Sequence, residues 1–243
     1  MEDEVLTAAV PVGAKRLSPF HHKQASVGAQ FIVDTYGWAR VEQYADPPSE
    51  TYAIDRGVGL VDLSHLAKLA LNGPGLKQLT TGRYVLASSD LKGVVLGRGR
   101  GLYDGTWCAI FSPEEGMLFG DEVLKEKIVK ELAEGRTGHF TVVDVSSVFA
   151  GCCFLGPNSR ALLRRLTELN VNPEEFPTLS VTHTPIRHVP AILLRNDLGQ
   201  TLAYQLYFER AYAEYIWDAV FDSGKSLGVA PVGRLAVKAF GLG

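Results

Sequence analysis

Cysteine is scarce in this sequence, three residues in 243. Cys152 and Cys153 are adjacent in the apolar run AGCCFLG, and Cys108 stands alone. Neighbours on a strand point to opposite faces, and no Cys-x-x-Cys or His-x-x-x-His spacing is present. These features argue against a redox pair or a metal site, so no metal is expected and the three read as small buried core residues. A basic field is lacking as well: 24 Lys and Arg stand against 27 Asp and Glu, a net charge of −3. Nothing there draws nucleic acid or an anionic membrane surface. No apolar run approaches the ~20 residues that span a bilayer. The opening, MEDEVLTAAVPVGAKRLSP, is acidic first and only briefly apolar, the wrong order for a secretory signal. A cytoplasmic location is the expectation. The series Gly97, Gly99, Gly101 lacks both the G-x-G-x-x-G spacing and a following helical pattern, so it reads as a hairpin loop rather than a phosphate cradle.

What the sequence has is an ordinary globular balance, 46% apolar and 21% charged, in a length that suits one large domain or two modest ones. Residues 1–18 read as a loosely held arm. SETYAIDRGVG predicts a helix begun by Ser49 behind Pro47-Pro48 and ended at Gly57. GLKQLTTG predicts a short helix, and DEVLKEKIVKELAEG (121–135) a long amphipathic one. NSRALLRRLTEL predicts a helix capped by Asn158 or Ser159. RHVPAILLR and TLAYQLYF predict strands. ERAYAEYIWDAVFDSG predicts a helix with Tyr212, Tyr215 and Trp217 near its core-facing stripe. Strands and helices mix without a steady βαβ rhythm, so the expected class is α+β.

One phrase is written twice. Val61-Asp62-Leu63-Ser64 leads through an apolar run to Gly73-Pro74, and Val143-Asp144-Val145-Ser146 leads through another to Gly156-Pro157. The repeat predicts two related sheet-and-helix lobes, with 61–71 and 143–155 as equivalent central strands. Asp62 and Asp144 read as strand-end turn caps, and His65 as a structural residue.

These residues carry a family resemblance. FHHKQASVGAQFIVDTYGW, then DRGVGLVDLSH, then DVSSVFAGCCFLGPNSRALL, and the tail ERAYAEYIWDAVFDSGKSLGVAPVG occur in the order found in the glycine-cleavage T-protein, or aminomethyltransferase, family. The resemblance runs from about Pro19 to Gly233. It implies the α+β folate-binding fold of two interleaved lobes, one built from residues 1–64 and 144–243 and the other inserted as 65–143. It also implies a short form without the family's C-terminal barrel-like domain.

The resemblance implies site residues too. That family moves a one-carbon unit onto tetrahydrofolate, and a carboxylate suits a site where amine nitrogens gain positive charge. The family's acidic turn matches Gly101-Leu102-Tyr103-Asp104-Gly105, which keeps Asp104 as the catalytic candidate with Tyr103 beside it but has Gly105 in place of the second acid. The family's pterin-holding run matches Arg195 to Gln205; Arg195 and Tyr204 agree, and the acid has become Gln205, which hydrogen-bonds without charge. The asparagine of another strand corresponds to Gly120, and the arginine after the last helix to Val237. Two functions follow as expectations. One is a folate-binding, one-carbon protein with a degenerate site and weak tetrahydrofolate binding. The other is a non-catalytic chain, like the gamma subunit of heterotetrameric sarcosine oxidase, beside flavin-bearing subunits.

Overall fold

The computed structural model describes residues 10–74, 84–85, 93–97, 107–123, 125 and 141–240, with 84–85 and 93–97 as backbone. Tyr103, Asp104, the GLKQLTTG segment and most of the 121–135 segment lie outside the described residues.

Two six-stranded sheets dominate. The first joins β4 (Val58–Asp62), β11 (Phe149–Leu155), β12 (Val181–Ile186), β13 (Val189–Arg195), β14 (Ala203–Glu209) and β15 (Val229–Pro231) in the order β12-β13-β14-β11-β4-β15. The second joins β5 (Ala67–Asn72), β6 (Tyr84–Val85), β7 (Gly93–Gly97), β8 (Trp107–Ser112), β9 (Glu115–Gly120) and β10 (Thr141–Asp144) in the order β10-β5-β9-β8-β7-β6. A three-stranded sheet is added by β1 (Arg16–Leu17), β2 (Gln30–Val33) and β3 (Trp38–Gln43). Thus the end of the expected arm is a short strand, parallel to β3.

The repeat explains how the chain changes sheets. What reads as one strand over 61–71 is two: β4 ends at Asp62 in the first sheet and β5 begins at Ala67 in the second. The second copy makes the return journey, from β10 in the second sheet to β11 in the first. Asp62 Oδ1 accepts from Ser64 N at 2.8 Å and Asp144 Oδ1 from Ser146 N at 3.0 Å, so both aspartates cap their crossings as expected. Leu63 N donates to Gly151 O at 2.8 Å and Val145 N to Lys68 O at 2.9 Å. Each crossing is thus bonded to the strand that the other leads into: the first to β11 through Gly151, the second to β5 through Lys68. Both closing glycines, Gly73 (φ 137) and Gly156 (φ 126), sit where side chains are strained. At Gly156 a Cβ would also stand 2.4 Å from Ile54 O.

Helices cover the outer face of the first sheet. Leu162, Leu163 and Leu166 of α3 (Ser159–Leu166) and Ile216, Trp217 and Val220 of α4 (Ala213–Gly224) are buried against Tyr204, Leu206 and Phe208. α1 (His21–Ser26) lies nearby, with Phe20 just before it tilted on Trp217. Tyr212 and Tyr215 are exposed, so only Trp217 of the three aromatics is core. The helix α2 (Pro47–Arg56) starts earlier than its sequence suggests. Asp46 is the N-cap, taking Ser49 N at 3.1 Å, and the two prolines fit inside the first turn because their missing N–H groups have no partner there anyway. Buried Glu50 of α2 ties three segments together, accepting from Tyr44 N, Ala45 N and, at 2.7 Å, Gly233 N ahead of α5 (Arg234–Val237). Cys152 faces the helix-covered core and Cys153 the opposite one, both free and buried.

Candidate functional site

The space between the two large sheets is lined by the inward faces of β5, β8, β9 and β14. On β14 the alternation places Gln205 and Tyr207 inward, while Tyr204, Leu206 and Phe208 point outward to the helices. Both faces of this strand are covered, so six of its seven residues are buried. Tyr207 Oη donates to Gln205 Oε1 at 2.8 Å. The Tyr207 ring stacks on Phe119 at 4.3 Å, and Phe119 on Trp107 at 5.8 Å, an aromatic column from one sheet into the other. Gly151 lets Tyr207 lie flat against the sheet, since a Cβ there would stand 2.7 Å from the ring.

Lys68 enters this layer from β5 and is completely buried. Its Nζ donates to Ser64 O at 3.0 Å and Leu66 O at 2.8 Å, and stands 5.9 Å from the centre of the Tyr207 ring. Burial lowers its pKa to about 8, against the opposing pull of Asp62, Asp144 and Glu122. The same desolvation pushes the Tyr207 hydroxyl well above its ordinary value. The layer thus offers flat apolar surface, one amide, a phenol, the Trp107 indole N–H, which lacks a protein partner, and one lysine near its neutral-charged balance.

The residues implied by the resemblance fall in different places. Gln205 is inward. Tyr204, its neighbour in sequence, is outward, and its hydroxyl has no partner in the helix-covered core. Arg195 pairs in register with Tyr204, lies 5.6 Å from that ring, and is held by Asp197 (2.6 Å at Nη2) and by Phe176 O (2.7 Å). These bonds, Asp197 first, raise its pKa further. Arg195, Tyr204 and Gln205 therefore do not converge on one cavity. Lys68, Trp107, Phe119 and Tyr207 were not singled out from sequence; the one signal was a lysine inside the apolar run LAKLAL, residues 66–71.

Two six-stranded sheets with helices, joined by reciprocal crossings, make this an α+β protein, and the comparisons say of which family. The family model described as the GCVT N-terminal domain matches residues 20–242. The chain belongs to that family. Among curated relatives, the aminomethyltransferase of Halothermothrix orenii is 23% identical over 225 residues, covering 89% of this chain and 61% of the relative. That of Listeria innocua is 25% identical, covering 89% and 60%. The chain spans about three-fifths of the length of these relatives. Among solved structures, the glycine cleavage system aminomethyltransferase T from Bartonella henselae superposes with a TM-score of 0.72 at 16% identity, covering 91% of this chain and 60% of that one. A chain of the heterotetrameric sarcosine oxidase from Corynebacterium sp. U-96 superposes with a TM-score of 0.61 at 19% identity, covering 88% and 97%. The fold is the α+β fold of the aminomethyltransferases.

Proposed function

We propose that the protein is an aminomethyltransferase-like folate-binding protein of one-carbon metabolism whose site no longer supports ordinary aminomethyl transfer. The observation that carries this reading is Gln205. It occupies the position where the family resemblance places a pterin-holding acid, it faces the inter-sheet layer, and its amide oxygen is taken by Tyr207 Oη. A neutral amide in place of a carboxylate costs on the order of 1–2 kcal/mol per hydrogen bond, tenfold or more in affinity. Tetrahydrofolate is the proposed ligand, with Gln205, Tyr103 and Asp104 as its proposed contacts. Arg195 and Tyr204 act from the other face by fixing the strand that carries Gln205. The proposed lobes are 1–64 with 144–243, and 65–143, a division supported by the membership of the two large sheets. Among the described residues no helix is long and apolar enough to cross a membrane. A cytoplasmic location is part of the proposal.

Calorimetry with tetrahydrofolate tests the reading. Micromolar or weaker binding is expected, improving at least tenfold in Gln205→Glu. Tight binding that is abolished by Asp104→Ala, together with turnover of an aminomethyl donor, would overturn the degenerate-site reading.

A second reading is a non-catalytic, gamma-like subunit of a sarcosine or N-methyl amine oxidase or demethylase. It is favoured by the match to a sarcosine oxidase chain over 97% of that chain's length. Co-expression with candidate flavin-bearing oxidase subunits, followed by native mass measurement, checks it; a stable complex is expected, and a chain that stays alone at micromolar concentration counts against it.

A further inference from the structure

A second cavity lies away from the inter-sheet layer, beneath the three-stranded sheet. Its walls come from β3 (Trp38, Arg40), the first crossing (Asp62, His65) and the segment around α5 (Arg234, Val237). Its open interior is about 30 Å³, where about 10–15 Å³ holds one water, so two or three water-sized groups fit, the bulk of a carboxylate.

The groups around it are mostly donors without acceptors. Among the described residues, the half-buried Arg40 guanidinium makes no hydrogen bond or ion pair, although its side chain has five N–H groups. Arg234 gives Nη2 to Glu42 Oε1 at 2.8 Å, but its Nε is buried and has no partner. The Trp38 indole Nε1 is buried without a partner too. The nearby carboxylates bond other groups: Asp62 takes Ser64 N and, at 2.7 Å, Gln24 Nε2, while Glu42 is engaged by Arg234. His65 adds no charge at neutral pH, because burial first, then Arg40 and Lys68, hold its pKa well below the usual value. Arg40 in turn loses basicity chiefly to desolvation, with Arg234 adding repulsion that Asp34, Asp62 and Glu42 oppose. A guanidinium drawn out of water beside another, with no anion in contact, is half of an ion pair. The planar fork of arginine matches a carboxylate.

We propose that this cavity is a binding site for a carboxylate group, held by Arg40 with the Nε of Arg234 and the indole N–H of Trp38 as additional donors. The ligand class is a small carboxylic acid or a molecule ending in one. Gln205 is not among its walls, but Val237, where the resemblance places a site arginine of the family, is, so the proposal touches the folate reading at that one position.

The experiment is a thermal-unfolding titration of the full chain with sodium acetate at constant ionic strength, using sodium chloride as the balance. A saturable rise in midpoint is expected, with half-effect at millimolar acetate. Arg40→Met should raise that concentration tenfold or more, and Arg40→Lys should recover part of it. Gln205→Ala should leave the acetate response unchanged even if it alters tetrahydrofolate binding. Should Arg40→Met fail to fold, Trp38→Phe, which removes one donor, should weaken the response instead. A free acid and the glutamate end of a folate share this chemistry. p-Aminobenzoyl-glutamate tighter than acetate and lost in Arg40→Met assigns the site to the folate end, and equal or weaker affinity assigns it to a free acid. No saturable shift with acetate, or the same shift in wild type and Arg40→Met, overturns the proposal.

Discussion

Ser64 and Ser146 stand in an exchange. Ser64 Oγ accepts Gly151 N at 3.2 Å, and Ser146 Oγ accepts Lys68 N at 2.9 Å, so each hydroxyl holds the strand that the other's crossing leads into or out of. Ser146 also gives its proton to Asp144 Oδ1 at 2.6 Å. Both serines are buried, and so are the N–H groups they satisfy. Removing either hydroxyl strands a buried donor. Ser64→Ala and Ser146→Ala should each cost about 1–3 kcal/mol. Because each serine holds the strand that the other's crossing leads into, the double variant should depart from additivity by ~0.5 kcal/mol or more. Denaturant unfolding of the single and double variants measures this.

Gly151 should tolerate no side chain while Tyr207 is present. The Cβ of Gly151→Ala would meet the Tyr207 ring at 2.7 and 2.8 Å, and the ring cannot move away while stacked on Phe119. A loss of about 1–3 kcal/mol is expected from such overpacking. In a Tyr207→Leu background the same substitution should cost distinctly less. Equal costs in both backgrounds, read from unfolding midpoints, would show that the contact is not the cause.

Lys68 should leave a signature in the pH dependence of stability. Its folded pKa of about 8 lies below the ordinary 10.5, so between those values the unfolded chain binds more protons. Stability from this group therefore rises as pH goes from 8 to 10.5 and is at its lowest below 8. The full change is about 3 kcal/mol, at about 1.36 kcal/mol per pH unit. The buried thiols oppose it above pH 9, since burial raises Cys153 to about 12 and Cys152 well above its usual value. Lys68→Met retains those thiols. The stability difference between wild type and Lys68→Met should thus move in favour of wild type on alkalinisation, and a flat difference from pH 7.5 to 10 would refute the assignment.

Cys152 and Cys153 should react with a thiol reagent only on unfolding. Both are 1% exposed or less, and the elevated pKa leaves almost no thiolate at pH 8. Cys153→Ala, in a core with Val61, Leu63 and Leu155, should cost about 1–3 kcal/mol. Rapid modification of the native protein, followed by mass spectrometry, would contradict the burial.

Much of this architecture is legible in the residues. The doubled V-D-x-S phrase marks two related places in the chain, and α3, α4, β13 and β14 form where their residues predict helices and strands. The change of sheet between Leu63 and Ala67 is not legible, because both ends of the crossing are buried and the apolar spacing runs on as if through a single strand. Lys68 escapes notice for a related reason: lysine is ordinarily solvated, and only the carbonyls of Ser64 and Leu66, brought back by the turn, make its burial tolerable. On β14 the two-sided burial erases the alternation that would have told Tyr204 from Gln205. Family resemblance names both as ligand contacts, and only the pleat separates them.

The neighbouring crossings have a mechanical consequence. Among the described residues the chain passes between the two large sheets only at 63–66 and 145–148, and each passage is hydrogen-bonded to the strand that follows the other. Two pins set side by side act as one hinge line. Any widening of the space that holds Lys68, Gln205 and the aromatic column must then swing about the line through Ser64 and Ser146, opening least at the crossings and most at the far strands β12 and β7.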